Sequence, residues 1–265
     1  KKEKLHFGFG EFSSRGLKIS TPAVSKEKAV CTFETKVVNH TAQAQKVQIK
    51  GTLSSPDCFE KNAYVSHPDF DINELISGNE LYTQQAETEI AAGETKEIKL
   101  TFEVQSPKLW NGRKCPYLYD AQVQLICDSN IIETISDQIG FRYYKTDKDK
   151  GFFLNGESYP LRGVSRHQDR EGLGNAFTKN EHDEDFALIY EMGANAVRLA
   201  HYPQAEYFYK LCDRYGIIVW AEIPFVDLVG GDGEYNNPNT ERLAFFNTTK
   251  NQLLELIHQN YNHPA

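Results

Sequence analysis

Three apolar segments in the second half of the chain each end in a side chain capable of acid–base or ion-pair chemistry. His167 ends the first segment, His201 the second and Glu222 the third. An imidazole exchanges a proton near neutral pH, and a carboxylate can act as a base or hold a cation. If the segments are neighbouring parallel strands, the three groups meet at one rim of the sheet, where barrel enzymes build their sites. The alternative is that they cap strands and hold loops.

An arginine interrupts the second of these segments. Arg198 lies inside the apolar run Asn195–Ala200. Burying an unpaired guanidinium is costly, so we expect it to meet a carboxylate. Inside a barrel such a pair would belong to a functional site. A solvent-exposed strand end, or an ion pair that only organises the fold, would also explain this residue.

The elements around these residues follow a helix–strand alternation. Strands are predicted at Leu161–Val164, Asn195–Ala200 and Ile217–Trp220. Such continuous apolar strands, separated by helices, predict a parallel sheet covered on its faces. A barrel and a doubly wound sheet both fit this pattern. A dinucleotide-binding fold does not, because no G-x-G-x-x-G follows the first strand.

Local signals mark the helices between these strands. Thr178 to Glu181 fits a capping box, and Gly193 is expected to end the helix that it starts. Pro203 is expected to open the next helix at its first position, and Gly216 to end it. The apolar face of a final helix is predicted from Leu243, Phe246, Leu253, Leu254 and Ile257.

The first half of the chain has a different period. Apolar and polar residues alternate in the manner of half-buried strands. The inward positions are Cys31, Phe33, Thr35 and Val37; Val47, Ile49 and Leu53; Ile98, Leu100, Phe102 and Val104; and Ala121, Val123, Leu125 and Cys127. Short strands separated by turns predict an immunoglobulin-like β-sandwich. The polar stretch Cys58–Gln85 is predicted to be a long loop or an insertion, and the charged stretch Thr146–Gly151 a linker.

Composition excludes several classes of function. The net charge is −8 with no extended basic run, so no nucleic-acid partner is expected. No apolar run approaches the roughly 18 residues of a membrane span, so no membrane partner is expected. The five cysteines include no C-x-x-C spacing, which argues against a disulfide framework or a zinc site. Buried free thiols are favoured over a disulfide between Cys31 and Cys127.

Several segments at matching distances resemble glycoside hydrolase family 2, whose members include β-galactosidases, β-glucuronidases and β-mannosidases. They are Pro107–Tyr119, Gly140–Arg142, Phe153–Gly156, Leu161–His167, Asn195–Pro203 and Gly216–Trp220 with Asp213. The resemblance implies an immunoglobulin-like sandwich over residues 1–142, a linker at 143–150, and the N-terminal part of a (β/α)8 catalytic barrel, its first three βα units, over 151–265.

The resemblance also implies a mechanism whose reacting groups lie elsewhere. Family members hydrolyse β-glycosides with retention, using one Glu as general acid/base and a second as nucleophile. Both come from later barrel strands, so we expect no catalytic Glu in this chain. Gly78-Asn79-Glu80 mimics the acid/base motif but lies in the sandwich half and is rejected.

What this chain is expected to contribute is support for the transition state and the substrate. By resemblance, His167 and His201 contact the sugar, Arg198 holds the nucleophile ionised, and Glu222 is a rim acid. The segments Arg166–Asp169 and Ala221–Pro224 resemble those of β-galactosidases, and the β-galactosidase assignment rests on them. Asp169 is included among the expected site residues because it belongs to the first of these segments. Trp220 is a candidate for stacking on a sugar ring, and Trp110 is expected to pack in the core. His6, His40, His67, His182, His258 and His263 are expected at the surface or in packing.

Cofactor and partner expectations follow from the same comparison. Magnesium-binding galactosidases place an acid and a histidine soon after the residue matching Glu222, where this chain has Val226 and Leu228. No cofactor or metal is therefore expected. The expected partner is a carbohydrate, a β-galactoside first, and the open edge of a partial parallel sheet favours pairing with a second copy. A periplasmic or a cytoplasmic location in a bacterium would both fit.

Two alternatives remain at this point: a β-glucuronidase or β-mannosidase of the same family, and a non-catalytic carbohydrate-binding or scaffold protein with the same folds. We predict that the 265-residue chain by itself does not hydrolyse an aryl β-galactoside, because both reacting carboxylates are expected outside it. A chromogenic assay of the pure chain checks this. Measurable turnover would show that the assignment of the reacting groups is wrong.

Overall fold

A computed structural model describes residues 3–55, 81–225 and 240–265, with side chains of the last segment from residue 246 onward. In the first half, two antiparallel sheets pack face to face. One contains β1 (Leu5–Phe7), β2 (Leu17–Val24), β3 (Lys28–Asn39) and β6 (Thr95–Gln105), all paired to β3. The other has the order β5-β4-β7-β8 and contains β4 (Gln45–Ser54), β5 (Leu81–Ile90), β7 (Tyr119–Cys127) and β8 (Asn130–Ile139).

The predicted alternation places the inward residues in one core between these sheets. Phe33 and Phe102 pack with ring centroids 4.6 Å apart, and Ile49 and Leu125 are fully buried opposite them. Every second residue of β3, β4, β6 and β7 is buried, which is the pattern that a two-layer sandwich requires. The immunoglobulin-like sandwich prediction is confirmed.

The edge strand β5 was not predicted, and the loop prediction for Cys58–Gln85 is wrong over its last five residues. Strand β5 begins at Leu81, and its even-numbered positions face the core, where Tyr82 and Ala86 pack and Ile90 is buried. Its alternation is weak in the sequence because Gln84 and Thr88 hold two of these inward positions. Residues 58–80 lie outside the described part. Cys31 and Cys127 are both buried free thiols. Burial raises the pKa of the Cys31 thiol, which makes it an inert core residue.

A small antiparallel sheet occupies the stretch predicted to be a linker. It consists of β9 (Tyr144–Asp147), β10 (Gly151–Leu154) and β11 (Glu157–Ser158). Asp147 accepts hydrogen bonds from the backbone N–H groups of Asp149 and Lys150, each at 3.0 Å, and so closes the turn between β9 and β10. The charges of residues 143–150 therefore mark a hairpin turn, and the linker prediction is corrected there.

The parallel sheet contains β12 (Gly163–Arg166), β13 (Ala196–Leu199) and β14 (Ile218–Ala221) in that order. Helices α1 (Lys179–Glu191) and α2 (Glu206–Tyr215) connect these strands in sequence. One face of the sheet, including Val197 and Leu199, packs with α1 and α2. The other face carries Ser165, Arg198 and Trp220 side by side in register, all exposed.

The helix signals were mostly read correctly. Thr178 and Glu181 form the predicted capping box, and Gly193 and Gly216 follow their helices with φ of 85° and 77°. The start predicted for α2 is wrong. That helix begins at Glu206, because Pro203 and Gln204 belong to the loop that the Gln204 side chain ties to the strand ends.

The final helix, α3 (Thr240–Gln259), also differs from its predicted packing. Phe246, Leu253 and Ile257 are exposed, and Leu256 is the buried position. Leu254 is half-buried, and the side chain of Leu243 lies outside the described part.

The sandwich meets the parallel-sheet region through side chains that bind the ends of α1 and α2. The indole Nε1–H of Trp110, which is completely buried, donates to the backbone oxygen of Asp213 at 2.7 Å. Arg113 donates to the backbone oxygens of Tyr190 and Ala194 at 2.9 and 2.8 Å. The Asp213 carbonyl lies in the last turn of α2, where carbonyls have no partner within the helix, so the Trp110 bond satisfies one of these groups. The packing role expected for Trp110 is confirmed.

This junction predicts that two helix-ending glycines differ in their tolerance of a side chain. Gly193→Ala should cost about 1–2 kcal/mol, the strain of a left-handed residue, because an added Cβ meets nothing within 4 Å. Gly216→Ala should cost several times more, since its Cβ would overlap the backbone carbonyl of Gly112. Denaturant unfolding of both variants measures the difference, and equal losses would contradict the close approach at Gly216.

Candidate active site

The residues predicted from the strand ends lie at one rim of the parallel sheet. His167 directly follows β12 and Glu222 directly follows β14, while His201 comes two residues after β13. The parallel register aligns the ends of the three strands, so the side chains that follow them converge. Arg198 reaches the same rim from within β13.

A two-point ion pair joins Arg198 to Glu222. The guanidinium donates from Nε to Glu222 Oε1 at 2.5 Å and from Nη2 to Oε2 at 3.1 Å. The carboxylate partner expected for Arg198 is therefore present. The expectation of burial is corrected: the Arg198 side chain is 44% exposed, because within the described residues no element covers that face of β13.

The two histidines extend this pair along the rim. His201 Nδ1 lies 3.3 Å from Glu222 Oε2 and 3.2 Å from Arg198 Nη2. The rings of His167 and His201 meet edge to face, with centroids 5.1 Å apart. We define the rim cluster as Arg198, Glu222, His201 and His167. It combines a fixed cation, a carboxylate and two titratable rings on an open surface.

Arg198 lowers the pKa of Glu222. Its hydrogen bonds to the carboxylate, with its positive charge, hold the pKa of Glu222 below the ordinary value of 4.5, against the opposing effect of desolvation. His201 acts in the same direction to a lesser extent. Glu222, already a carboxylate at neutral pH with an ordinary pKa, therefore stays ionised at a lower pH, and it accepts hydrogen bonds.

Two other residues singled out in the sequence stand apart from the rim cluster. Asp169 lies two residues past His167, is exposed, and forms no ion pair within the described part of the chain. Trp220 is 69% exposed and lies beside Arg198 in the strand register. Their roles toward a sugar stay predictions.

The described residues contain no group of three or more His, Cys, Asp or Glu side chains placed to hold a metal ion. Val226 and Leu228, on which the expectation of no magnesium rests, lie outside the described part.

A buried polar network behind the rim was missed in the sequence. Arg166 donates to Asp185 Oδ2 from Nε and Nη2 at 3.0 and 2.8 Å, and its Nη2 lies 3.1 Å from His182 Nδ1. Its guanidinium carbon lies 4.0 Å from the centre of the Phe208 ring. His182 and Asp185 are three apart in one helix, a spacing that places two polar groups on one face and could have pointed to this network.

Three of the histidines expected at the surface or in packing have a polar partner. His182 is buried against Arg166, and this neighbouring cation together with burial lowers the pKa of the imidazole. His263 Nδ1 lies 2.5 Å from Asp213 Oδ2, and His258 Nε2 lies 3.4 Å from Glu11. The Asp213 contact holds the segment after α3 against α2. The partners of His258 and His263 are far away in the sequence, so spacing could not have identified these two pairs.

Comparison with known families decides the relationship. A family model described as "Glycosyl hydrolases family 2" matches residues 15–142, and one described as "Glycosyl hydrolases family 2, TIM barrel domain" matches residues 146–265. The chain belongs to glycoside hydrolase family 2. Its parallel strands are accordingly the start of the family's barrel, and its exposed sheet face corresponds to the barrel interior.

Several relatives of this family 2 chain have assigned activities. A β-glucuronidase from Bacteroides fragilis is 51% identical over 163 residues, which are 61% of this chain and 23% of the relative. A β-galactosidase from Thermoanaerobacter pseudethanolicus is 33% identical over 64% of this chain and 21% of its own. The chain thus spans less than a quarter of either relative.

A solved structure extends the similarity to the whole fold. The β-glucuronidase 2 of Bacteroides uniformis, covalently bound to cyclophellitol-6-carboxylate aziridine, has a TM-score of 0.82 and 32% identity. The match covers 99% of this chain and 28% of that one. Separately, none of the helices in the described part is both long and apolar enough to cross a membrane.

The ion pair predicts a measurable change in one carboxyl group. Arg198→Met should raise the pKa of Glu222 toward 4.5, because the hydrogen bonds and the positive charge that favour its ionised form are removed. Any stability that this lowered pKa contributes is present above 4.5 and is lost as the pH falls through the folded-state pKa. Carboxyl ¹³C NMR titration follows the group directly.

The matched control is Arg162→Met. Arg162 is an exposed arginine of the same region, and no ion pair of its guanidinium is found among the described residues. This control should leave the Glu222 titration unchanged. An unchanged titration in Arg198→Met would show that the ion pair does not persist in solution.

Proposed function

We propose that the full-length protein is a retaining β-glycosidase that removes a terminal non-reducing sugar from an oligosaccharide or glycoside. The observation that carries this proposal is the rim cluster, in which three neighbouring barrel strands deliver Arg198, Glu222, His201 and His167 to one place. The C-terminal rim of such a barrel is where the active sites of this architecture are found.

The proposed role of the rim cluster is to bind the sugar and support the transition state. Glu222, oriented by its ion pair with Arg198, offers acceptor oxygens to sugar hydroxyl groups. His201 and His167 offer ring nitrogens that can donate or accept, according to tautomer. Hydrogen bonds that strengthen as positive charge develops on the sugar lower the barrier more than they tighten substrate binding.

The reacting carboxylates would come from the part of the barrel beyond this chain. Family membership supports a general acid/base Glu and a nucleophilic Glu about 5 Å apart, the spacing for retention. The covalent adduct named for the B. uniformis relative is the product expected from a nucleophilic enzyme group. This chain then supplies binding and orientation, and the later strands supply bond cleavage.

Among substrates, we propose a β-D-glucuronide first and a β-D-galactoside second. The 51% identity to a β-glucuronidase and the fold shared with another favour the glucuronide. The 33% identity to a β-galactosidase and the segments Arg166–Asp169 and Ala221–Pro224 favour the galactoside. These segments belong to a framework that members of different specificity share, so the greater identity decides the order.

The test is hydrolysis of p-nitrophenyl β-D-glucuronide, β-D-galactoside and β-D-mannoside by the purified full-length protein. We expect the glucuronide to have the highest kcat/KM. The anomer first released, observed by ¹H NMR, should be β. An α anomer would contradict retention, and no turnover of any glycoside would favour the scaffold alternative.

For the full-length protein we predict that His201→Ala lowers kcat by about a hundredfold or more and raises KM less, since its contact is expected to strengthen in the transition state. His40→Ala removes an exposed imidazole of the sandwich and should leave both constants unchanged. Steady-state kinetics measures both variants. A loss confined to KM would count against this role of His201.

A further inference from the structure

Gln204 has a buried side-chain amide that takes no part in the rim cluster. It lies in the loop between β13 and α2 and is only 8% exposed. Its side-chain Nε2 donates to the backbone oxygen of Arg166 at 2.8 Å and to that of Ala200 at 3.2 Å. Both hydrogens of the amide are therefore used, and each binds the end of a different strand.

The two carbonyls held by Gln204 belong to the residues directly before the rim histidines. Arg166 precedes His167, and Ala200 precedes His201. The Arg166 oxygen also accepts the N–H of Ala200 at 3.0 Å, so the backbones of β12 and β13 are joined twice at this point. The positions from which both imidazoles project are thus fixed by one side chain.

Gln204 is itself held from behind by a charged and buried group. Its Oε1 accepts a hydrogen bond from Arg166 Nη1 at 2.5 Å. Arg166 is fixed in turn by Asp185 of α1 and by the Phe208 ring of α2. Burial lowers the pKa of Arg166, while the Asp185 carboxylate opposes that effect, so the guanidinium remains a cation and a donor. The amide cannot rotate without breaking this bond.

We infer that Gln204 is a positioning residue, which sets the separation of His167 and His201 by tying the strand ends behind them. This inference rests on the proposed function of the rim cluster as a sugar site. Only an amide meets the requirement, since it must donate twice to carbonyls and accept once from a guanidinium. A carboxylate of the same shape would accept the hydrogen bond from Arg166. It has no hydrogen to donate, so it would repel both carbonyl oxygens instead of binding them.

Two variants of the full-length protein separate positioning from simple stability. Gln204→Glu keeps the shape and the acceptor but loses both donors, and Gln204→Met keeps the length and loses all three bonds. For both we expect kcat on the best glycoside to fall ten- to a hundredfold, roughly what a misplacement of about 1 Å costs, with KM changed less than about threefold. A residue that only stabilised the fold would lower Tm without this fall in kcat.

The matched control is Asn39→Leu in the sandwich. Asn39 is fully buried, and its Nδ2 donates to the backbone oxygens of Gln43, Ile90 and Ala91 at 2.9 to 3.1 Å. This control should lower Tm and leave kcat unchanged. If the Gln204 variants behave like Asn39→Leu, with kcat within about twofold of the unaltered protein, the inference is overturned.

Crystal structures of the unaltered protein and of Gln204→Met test the inference without turnover. We expect the His167 and His201 ring centroids, 5.1 Å apart here, to change their separation by about 1 Å. Unchanged rings would overturn the positioning role even if activity fell. If the unaltered protein hydrolyses no glycoside, the proposed function fails, and the ring separation alone decides whether Gln204 positions this pair.

Discussion

The register of three short parallel strands is the constraint on which the candidate site depends. Backbone pairing aligns Ser165, Arg198 and Trp220 across β12, β13 and β14, and so brings the residues after these strands to one rim. A shift of one residue in any strand would turn its side chains to the opposite face. The face that packs with the helices opposes such a shift. Val197 and Leu199 are buried there, and a shift of β13 by one residue would put Arg198 in their place.

The sequence revealed those parts of the fold whose physical cause is local. The alternation of apolar and polar residues predicted strands of the sandwich. The capping residue Thr178 and the glycines Gly193 and Gly216 predicted helix ends, since each of these signals depends on a few neighbouring residues. Strand β5 was missed because polar residues hold two of its five inward positions, which weakens the alternation in the sequence. Residues 143–150 were misread because turns and linkers share the same charged composition.

The candidate site was predicted in outline but not in its support. Strand-end position was enough to select His167, His201 and Glu222. The carboxylate partner of Arg198 was also predicted, although the burial from which it was argued is absent, since the side chain is 44% exposed. Neither argument could reach the contacts of Gln204 and Asp185 with Arg166, because they join residues of separate elements. Hydrogen bonds that depend on packing leave no periodic trace in a sequence.

Helix α2 runs from the contact between the β-sandwich and the parallel sheet to the loop that contains His201. Near its C-terminal end, Trp110 of the sandwich binds the Asp213 carbonyl, and its N-terminal end follows directly from the loop that contains His201. A helix of these ten residues is about 15 Å long. A tilt of α2 about the buried Trp110 indole would therefore displace its N-terminal end, to which the loop with His201 is attached, so the β-sandwich would act as a brace for that loop.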